Sequence, residues 1–241
     1  MLKIDTVMLA YNFNEDLVNL TRQAVYSVKS SSEGKLIIVD NASAMGGGML
    51  REEADIYIRN KVNLGYPAAV NQGVYLSKEP FIAIANNDIR ISDNWIEVTQ
   101  EIMSDPKVGT VHFRMIPYDQ PFNHGSDIWT TGKERWCTSS FFVIRREAFQ
   151  GYDDNYGAGG YDDYSHHYRM RKAGWKMAYT NKAEYQHMDS ITYRTMETKE
   201  KRAERDDRNR EYFKKTFGEY PDVQFNKEFP DQIALPYFPF P

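Results

Sequence analysis

The chain has 241 residues, 41% of them hydrophobic and 27% charged, with a net charge of −4 and a pI near 5.8. That apolar content supports one large α/β domain, and the acidic balance argues against a sequence-independent grip on nucleic acid. The single cysteine, Cys137, excludes an internal disulfide and points to a reducing compartment, the cytoplasm. No run approaches the roughly 20 apolar residues of a membrane helix, and Met1–Asp5 lacks the apolar core of a signal peptide.

Residues 4–10 predict a first strand, and Asn14 is placed to cap a helix over 15–29 whose Leu17, Leu20, Ala24, Val25 and Val28 recur near a 3.6 period. A second strand over 35–39 ends in Asp40-Asn41-Ala42-Ser43, and residues 55–59 make a third. Asn63-Leu64-Gly65-Tyr66-Pro67 leads into a helix over 67–77. Residues 81–85, Phe-Ile-Ala-Ile-Ala, read as a strand buried on both faces that runs into Asn86-Asn87-Asp88 before Ile89-Arg90-Ile91.

Strands alternating with helices predict a parallel, doubly wound sheet with polar residues at each strand's carboxyl end. Such an edge is where open α/β sheets bind ligands. There, Asp88 beside two amides suits a hard cation that also holds a phosphate.

After residue 105 the regularity fades. Residues 108–113 and 139–144 read as strands, 117–135 as loop, and 146–149 as a short helix. Gly157-Ala158-Gly159-Gly160 then precedes a helix over 162–172, stopped by Gly174. Residues 197–216 form a charged helix, read either as a solvated face or as a binding patch. The tail from Tyr220, rich in aromatics and prolines, reads as an extended strap on the body or on a neighbouring subunit of a homo-oligomer. The expected division is a catalytic domain over 1–190 and, packed on it, a charged helix and tail over 191–241.

Six ordered segments carry a resemblance: Thr6–Asn12, Ile38–Ser43, Asn63–Tyr66, Ile84–Asp88, Ser140–Phe149, and Tyr161-Asp162-Asp163 through Lys176. Together they resemble the family-2 glycosyltransferases of GT-A fold, in a rhamnosyltransferase-like branch where Asn-Asn-Asp replaces the usual pair of acids flanking one residue. The resemblance implies an inverting, metal-dependent transfer of a hexosyl or deoxyhexosyl group from a UDP- or dTDP-sugar to a hydroxyl acceptor, expected to be a saccharide. It implies a donor pocket of Ala10, Asn12, Asp40, Asn63, Gly65, Asn71, Asn86, Asn87 and Asp88. Asp88 would bind a divalent metal (Mn or Mg, an imidazole ligand leaning towards Mn) with His187 as second ligand. Asp163 matches the family's base, with Asp162 the alternative; Asp rather than Glu at 162 and Ser165 in place of a further acid depart from the pattern. Trp136, His166 and His167 are expected on the acceptor side.

Two rival readings stand beside this one. The first is glycosylation of a modified nucleic-acid base, with the basic residues between Lys199 and Lys215 touching phosphate. The second is a non-catalytic nucleotide-binding protein of the same fold.

Overall fold

The computed structural model describes residues 2–131, 140–188 and 197–229. Its first half alternates strand and helix: β1 Asp5–Ala10, α1 Glu15–Ser31, β2 Leu36–Asp40, α2 Gly47–Glu53, β3 Ile56–Arg59, α3 Tyr66–Leu76 and β4 Phe81–Asn86. Then follow β5 Ile89–Ile91, α4 Trp95–Ile102, β6 Val108–Pro117, β7 Ile128–Thr131, β8 Phe141–Arg145, α5 Asp162–Lys172, β9 Lys176–His187, α6 Lys199–Phe217 and α7 Pro221–Glu228. The strands form one sheet in the order β3-β2-β1-β4-β8-β6-β9-β5, with β7 on β9. β1 pairs in parallel with β2 and β4, and β2 with β3, as the alternation predicts. β8 enters antiparallel between β4 and β6, and the long β9 runs parallel to β6.

Side chains alternate across a strand, and the core follows that period. Met8, Ala10, Ile38, Ala83 and Ala85 face α1 and α4 in one buried cluster, where Ala24, Val25 and Trp95 meet them. Val7, Leu9, Ile37, Val39, Ile82 and Ile84 face the other side, against Ala69, Val70 and Val74 of α3. Burying each such aliphatic side chain contributes about 1.5–3 kcal/mol, so a two-faced sheet is the main source of stability. Asn14 caps α1 as expected, its Oδ1 accepting from Leu17 N at 2.9 Å.

Four expectations are corrected. α2 and α4 are helices in stretches without a predicted element, and residues 128–131 form a strand inside the segment read as loop. β9 was not anticipated. The tail is helical over Pro221–Glu228 rather than extended; the rest of it, on which the expected homo-oligomer contact falls, lies outside the described residues. α6 and α7 pack on α5 through Tyr168, Phe213 and Phe225. Among the described residues no helix is long and apolar enough to cross a membrane.

Candidate active site

The carboxyl ends of β1, β2 and β4 open onto a cleft of about 1070 Å³. Ala10, Asn41, Asn63, Leu64 and Gly65 line one end; Asn86, Asn87, Asp88, Ser140 and His187 line the middle; the Gly157–Tyr164 loop and Glu197, Lys201 and Asp206 close the far side.

Asp88 and His187 meet because of strand pairing. After β4 the Asn87-Asp88 turn redirects the chain, and β5 pairs antiparallel with the end of β9, setting Ile89 opposite His187. Met188 N donates to Asp88 O at 3.1 Å and locks the register. His187 Nε2 then lies 3.2 Å from Asp88 Oδ1, with both side chains largely buried. Nδ1 faces the Ser140 hydroxyl at 3.3 Å. Asn86 lines the cleft, whereas the Asn87 amide turns inward and donates to Asn12 Oδ1 and Thr21 Oγ1, each at 2.8 Å.

That inward network corrects one expectation. Asn12 is fully buried and accepts from Thr21 and Asn87, so it supports the floor beneath Asp88 and does not line the cleft. Asp40 is a second correction. Its carboxylate is fully buried, accepts from Ser43 N at 2.7 Å and Tyr57 Oη at 2.6 Å, and is ion-paired with Arg59. Both oxygens are spent on β3 and its own turn. Asn71 is pinned to Tyr152 N and O and to Asp154, away from the cleft.

The neighbouring amides do face the cleft. Leu64 N donates to Asn41 Oδ1, Asn41 Nδ2 donates to Gly65 O, and Gly65 N donates to Asn63 Oδ1. Backbone groups therefore fix the sense of both amides. With Oδ1 of Asn63 occupied by Asn41 Nδ2 and Gly65 N, its Nδ2 is the atom left to meet a ligand. Gly65 has φ +87°, and a Cβ there would sit 1.9 Å from Gly157 O, so the donor-side and far-side loops touch where only glycine fits.

On the far side Asp162 and Asp163 begin α5. Asp162 is buried, and burial together with the adjacent Asp163 pushes its carboxyl up to about 7, against the pull of backbone N–H bonds from Asp162 and Gly160 and of Arg205. Asp163 lines the cleft, half-buried, and accepts from Tyr164 N at 2.8 Å. Tyr161 before them holds φ +67°, a left-handed conformation that costs a non-glycine residue about 1–2 kcal/mol.

His166 and His167 do not reach this surface. His166 stacks on Tyr152 at 4.6 Å, His167 meets His112 edge-on at 5.0 Å, and both are on the buried side of α5. Trp136 lies outside the described residues. Conversely Ser140, Glu197, Lys201 and Asp206 line the cleft unforeseen. The last three lie in or just before the charged helix, where many neighbouring charges hide them in the sequence.

The family model for "Glycosyl transferase family 2" matches residues 6–175, more than two thirds of the chain. The chain belongs to glycosyl transferase family 2. A search of curated proteins returns no match. Among solved structures the chain is similar to GalNAc-T7 with UDP, GalNAc and Mn2+ (TM-score 0.63, 12% identity, 78% of this chain and 44% of that one). It is similar to Staphylococcus aureus TarS 1-349 (TM-score 0.59, 10% identity, 80% and 62%). A third is the mannosyltransferase PcManGT from Pyrobaculum calidifontis with GDP-Man and Mn2+ (TM-score 0.57, 15% identity, 76% and 56%). The chain therefore has the GT-A fold, and it spans only about half the length of these neighbours.

Proposed function

We propose that this glycosyltransferase moves a sugar from a UDP- or dTDP-linked donor to a saccharide hydroxyl, with inversion and with a divalent metal. The observation that carries the reading is one cleft with the Asp88–His187 pair in its middle and the Asp162–Asp163 pair on its far wall. One carboxylate oxygen and one imidazole nitrogen 3.2 Å apart fit a divalent ion that completes its shell with phosphate oxygens and water. Asp88 and His187 would hold it, and Ser140 would accept from Nδ1–H, making Nε2 the ligating nitrogen. When bound, the ion supplies charge neutralisation on the diphosphate. Mn is favoured over Mg by the imidazole.

Asn63 Nδ2 and the backbone near Gly65 meet the nucleoside. Asp163, the cleft-facing acid, takes the proton from the acceptor hydroxyl as its oxygen attacks the anomeric carbon opposite the leaving diphosphate. Asp162, which also lines the cleft but is the more buried of the two, sets the charge of the pair. Tyr11, Tyr66, Tyr161 and Tyr164 in the cleft walls suit the faces of sugar rings.

The test is a thermal-shift series with UDP, dTDP and GDP, with Mn, with Mg and with EDTA. A nucleotide should raise the midpoint only when metal is present. Asp88→Asn and His187→Ala should each weaken metal-dependent nucleotide binding at least about tenfold. An undiminished shift in EDTA would rule out the metal site.

A further inference from the structure

α6 lies beyond residue 175, where the family match ends, yet it reaches into the site. Its Asn209 is only 1% exposed. Asn209 Nδ2 lies 3.0 Å from Tyr156 O, 3.0 Å from Gly159 O and 2.9 Å from Gly160 O. Two N–H groups thus serve three carbonyls of the loop that delivers Asp162 and Asp163. Arg208 donates to Asn209 Oδ1 at 3.2 and 3.1 Å, which fixes the amide with its nitrogen towards the loop.

The loop needs such a hold. Gly157, Gly159, Gly160 and Tyr161 all have positive φ, with values of +63°, +121°, +90° and +67°. Glycines reach positive φ without strain but are equally free to leave it, and Tyr161 holds its own at a cost, so the loop's shape is set by what surrounds it. On its opposite side the loop rests against Gly65. Only Tyr161 separates Gly160 from Asp162, so the hold on Gly160 O acts one residue from the acidic pair. Anchoring α6 does not require Asn209, since Phe213 already packs against Tyr168 and Phe225. A buried amide costs free energy unless its bonds repay it, and here the carbonyls of one loop satisfy every N–H.

We infer that Asn209 is a positioning residue for the reaction: by gathering the carbonyls of Tyr156, Gly159 and Gly160 it sets the acidic pair at the cleft wall. This rests on the reading of the Asp162–Asp163 pair as the source of the base. Asn209 touches neither the donor nor the reacting atoms, so its loss should change turnover and not nucleotide binding.

The experiment compares Asn209→Ala, Asn209→Asp and Asn209→Gln in the full chain. Hydrogen exchange of amides 157–163 should quicken at least about tenfold in the Ala and Asp variants, with the amides of β1 and β4 unchanged. UDP affinity with Mn, by calorimetry, should stay within about twofold. Hydrolysis of UDP-glucose, dTDP-glucose and GDP-mannose in Mn identifies a donor that is turned over. On it kcat should fall about tenfold or more at unchanged KM, since about 1.4 kcal/mol of lost positioning is tenfold. The Asp variant should be at least as impaired as Ala, because a carboxylate repels the three carbonyls, whereas Gln, which keeps the amide, should recover part of the rate. Unchanged exchange and kcat in Asn209→Ala, or equal losses of UDP affinity and kcat, would overturn the clamp while leaving the acidic pair intact. Full hydrolysis in both Asp162→Asn and Asp163→Asn would overturn the reading of the pair and, with it, this role for Asn209.

Discussion

At the residue scale the acidic pair shows how a site is kept at a cost to the fold. Asp162 is buried and its carboxyl is raised to about 7, first by burial and then by Asp163. An acid whose folded pKa lies above its unfolded value contributes its stability below the unfolded pKa, and that contribution is lost as pH rises through the folded pKa. Charged Asp162 therefore destabilises the protein from about pH 4 upward, fully so above about pH 7. Asp162→Asn should then raise the thermal midpoint at pH 8, by about 2–4 °C for each kcal/mol relieved, with the gain vanishing near pH 4. A differential scan at the two pH values checks this; an equal or lower midpoint at pH 8 would show that Asp162 is not strained.

At the scale of elements, loop contacts and strand pairing decide which expected residues meet. Gly65 precedes α3 with φ +87° and abuts Gly157 O. Gly65→Ala forces a backbone conformation that costs about 1–3 kcal/mol, and its Cβ displaces the far-side loop. Nucleotide affinity and turnover should both fall at least about tenfold, while the urea midpoint falls by no more than that strain explains. Wild-type affinity in this variant would mean that the two loops need not touch.

The parallel half of the sheet was legible because its strands are short apolar runs, Leu36-Ile37-Ile38-Val39 and Ile82-Ala83-Ile84-Ala85, bounded by polar turns. β9 was not, for a physical reason. Its Thr180, Asn181, Glu184 and Gln186 are buried, and the 120–127 segment binds them: Thr180 and Asn181 donate to Asp127, Glu184 accepts from Asn123 N and is ion-paired with Arg114, and Gln186 donates to Gln120 O. Buried polar residues interleaved with Met177, Ala178, Ala183 and Tyr185 break up the hydrophobic period of the strand. Asp40 was a sound candidate by position, but Tyr57 and Arg59 on β3 claim its carboxylate, and that pairing is invisible until the register is known.

At the scale of the whole molecule, the helix expected over 162–172 forms as α5, DDYSHHYRMRK, but its histidines, expected on the acceptor side, face inward: β6 and β8 lie beneath it and α6 and α7 lie beside it. His166 and His167 are therefore held neutral, against His112, Phe142 and Tyr152. Burial, with smaller contributions from Arg169 and His112, pushes His166 down to about 3; burial, His112 and His166 push His167 well below the ordinary histidine range. For a depressed histidine the unfolded chain binds the extra proton between the two pKa values. Its contribution to stability is thus complete above about pH 6.5 and falls as pH drops towards the folded value. Each such group removes up to about 1.4 kcal/mol per pH unit, so two of them make the fold acid-labile well before its carboxylates are protonated. His166→Phe keeps a ring to stack on Tyr152 and removes one of these protons, giving up only the long 3.4 Å bond from Gln150 N. Urea midpoints at pH 5, 6 and 7 should fall less steeply in this variant, by up to about 1.4 kcal/mol per unit. Parallel curves for variant and native protein would mean that His166 is protonated in the folded state, and that the helix carrying the acidic pair opens to water more readily than its packing implies.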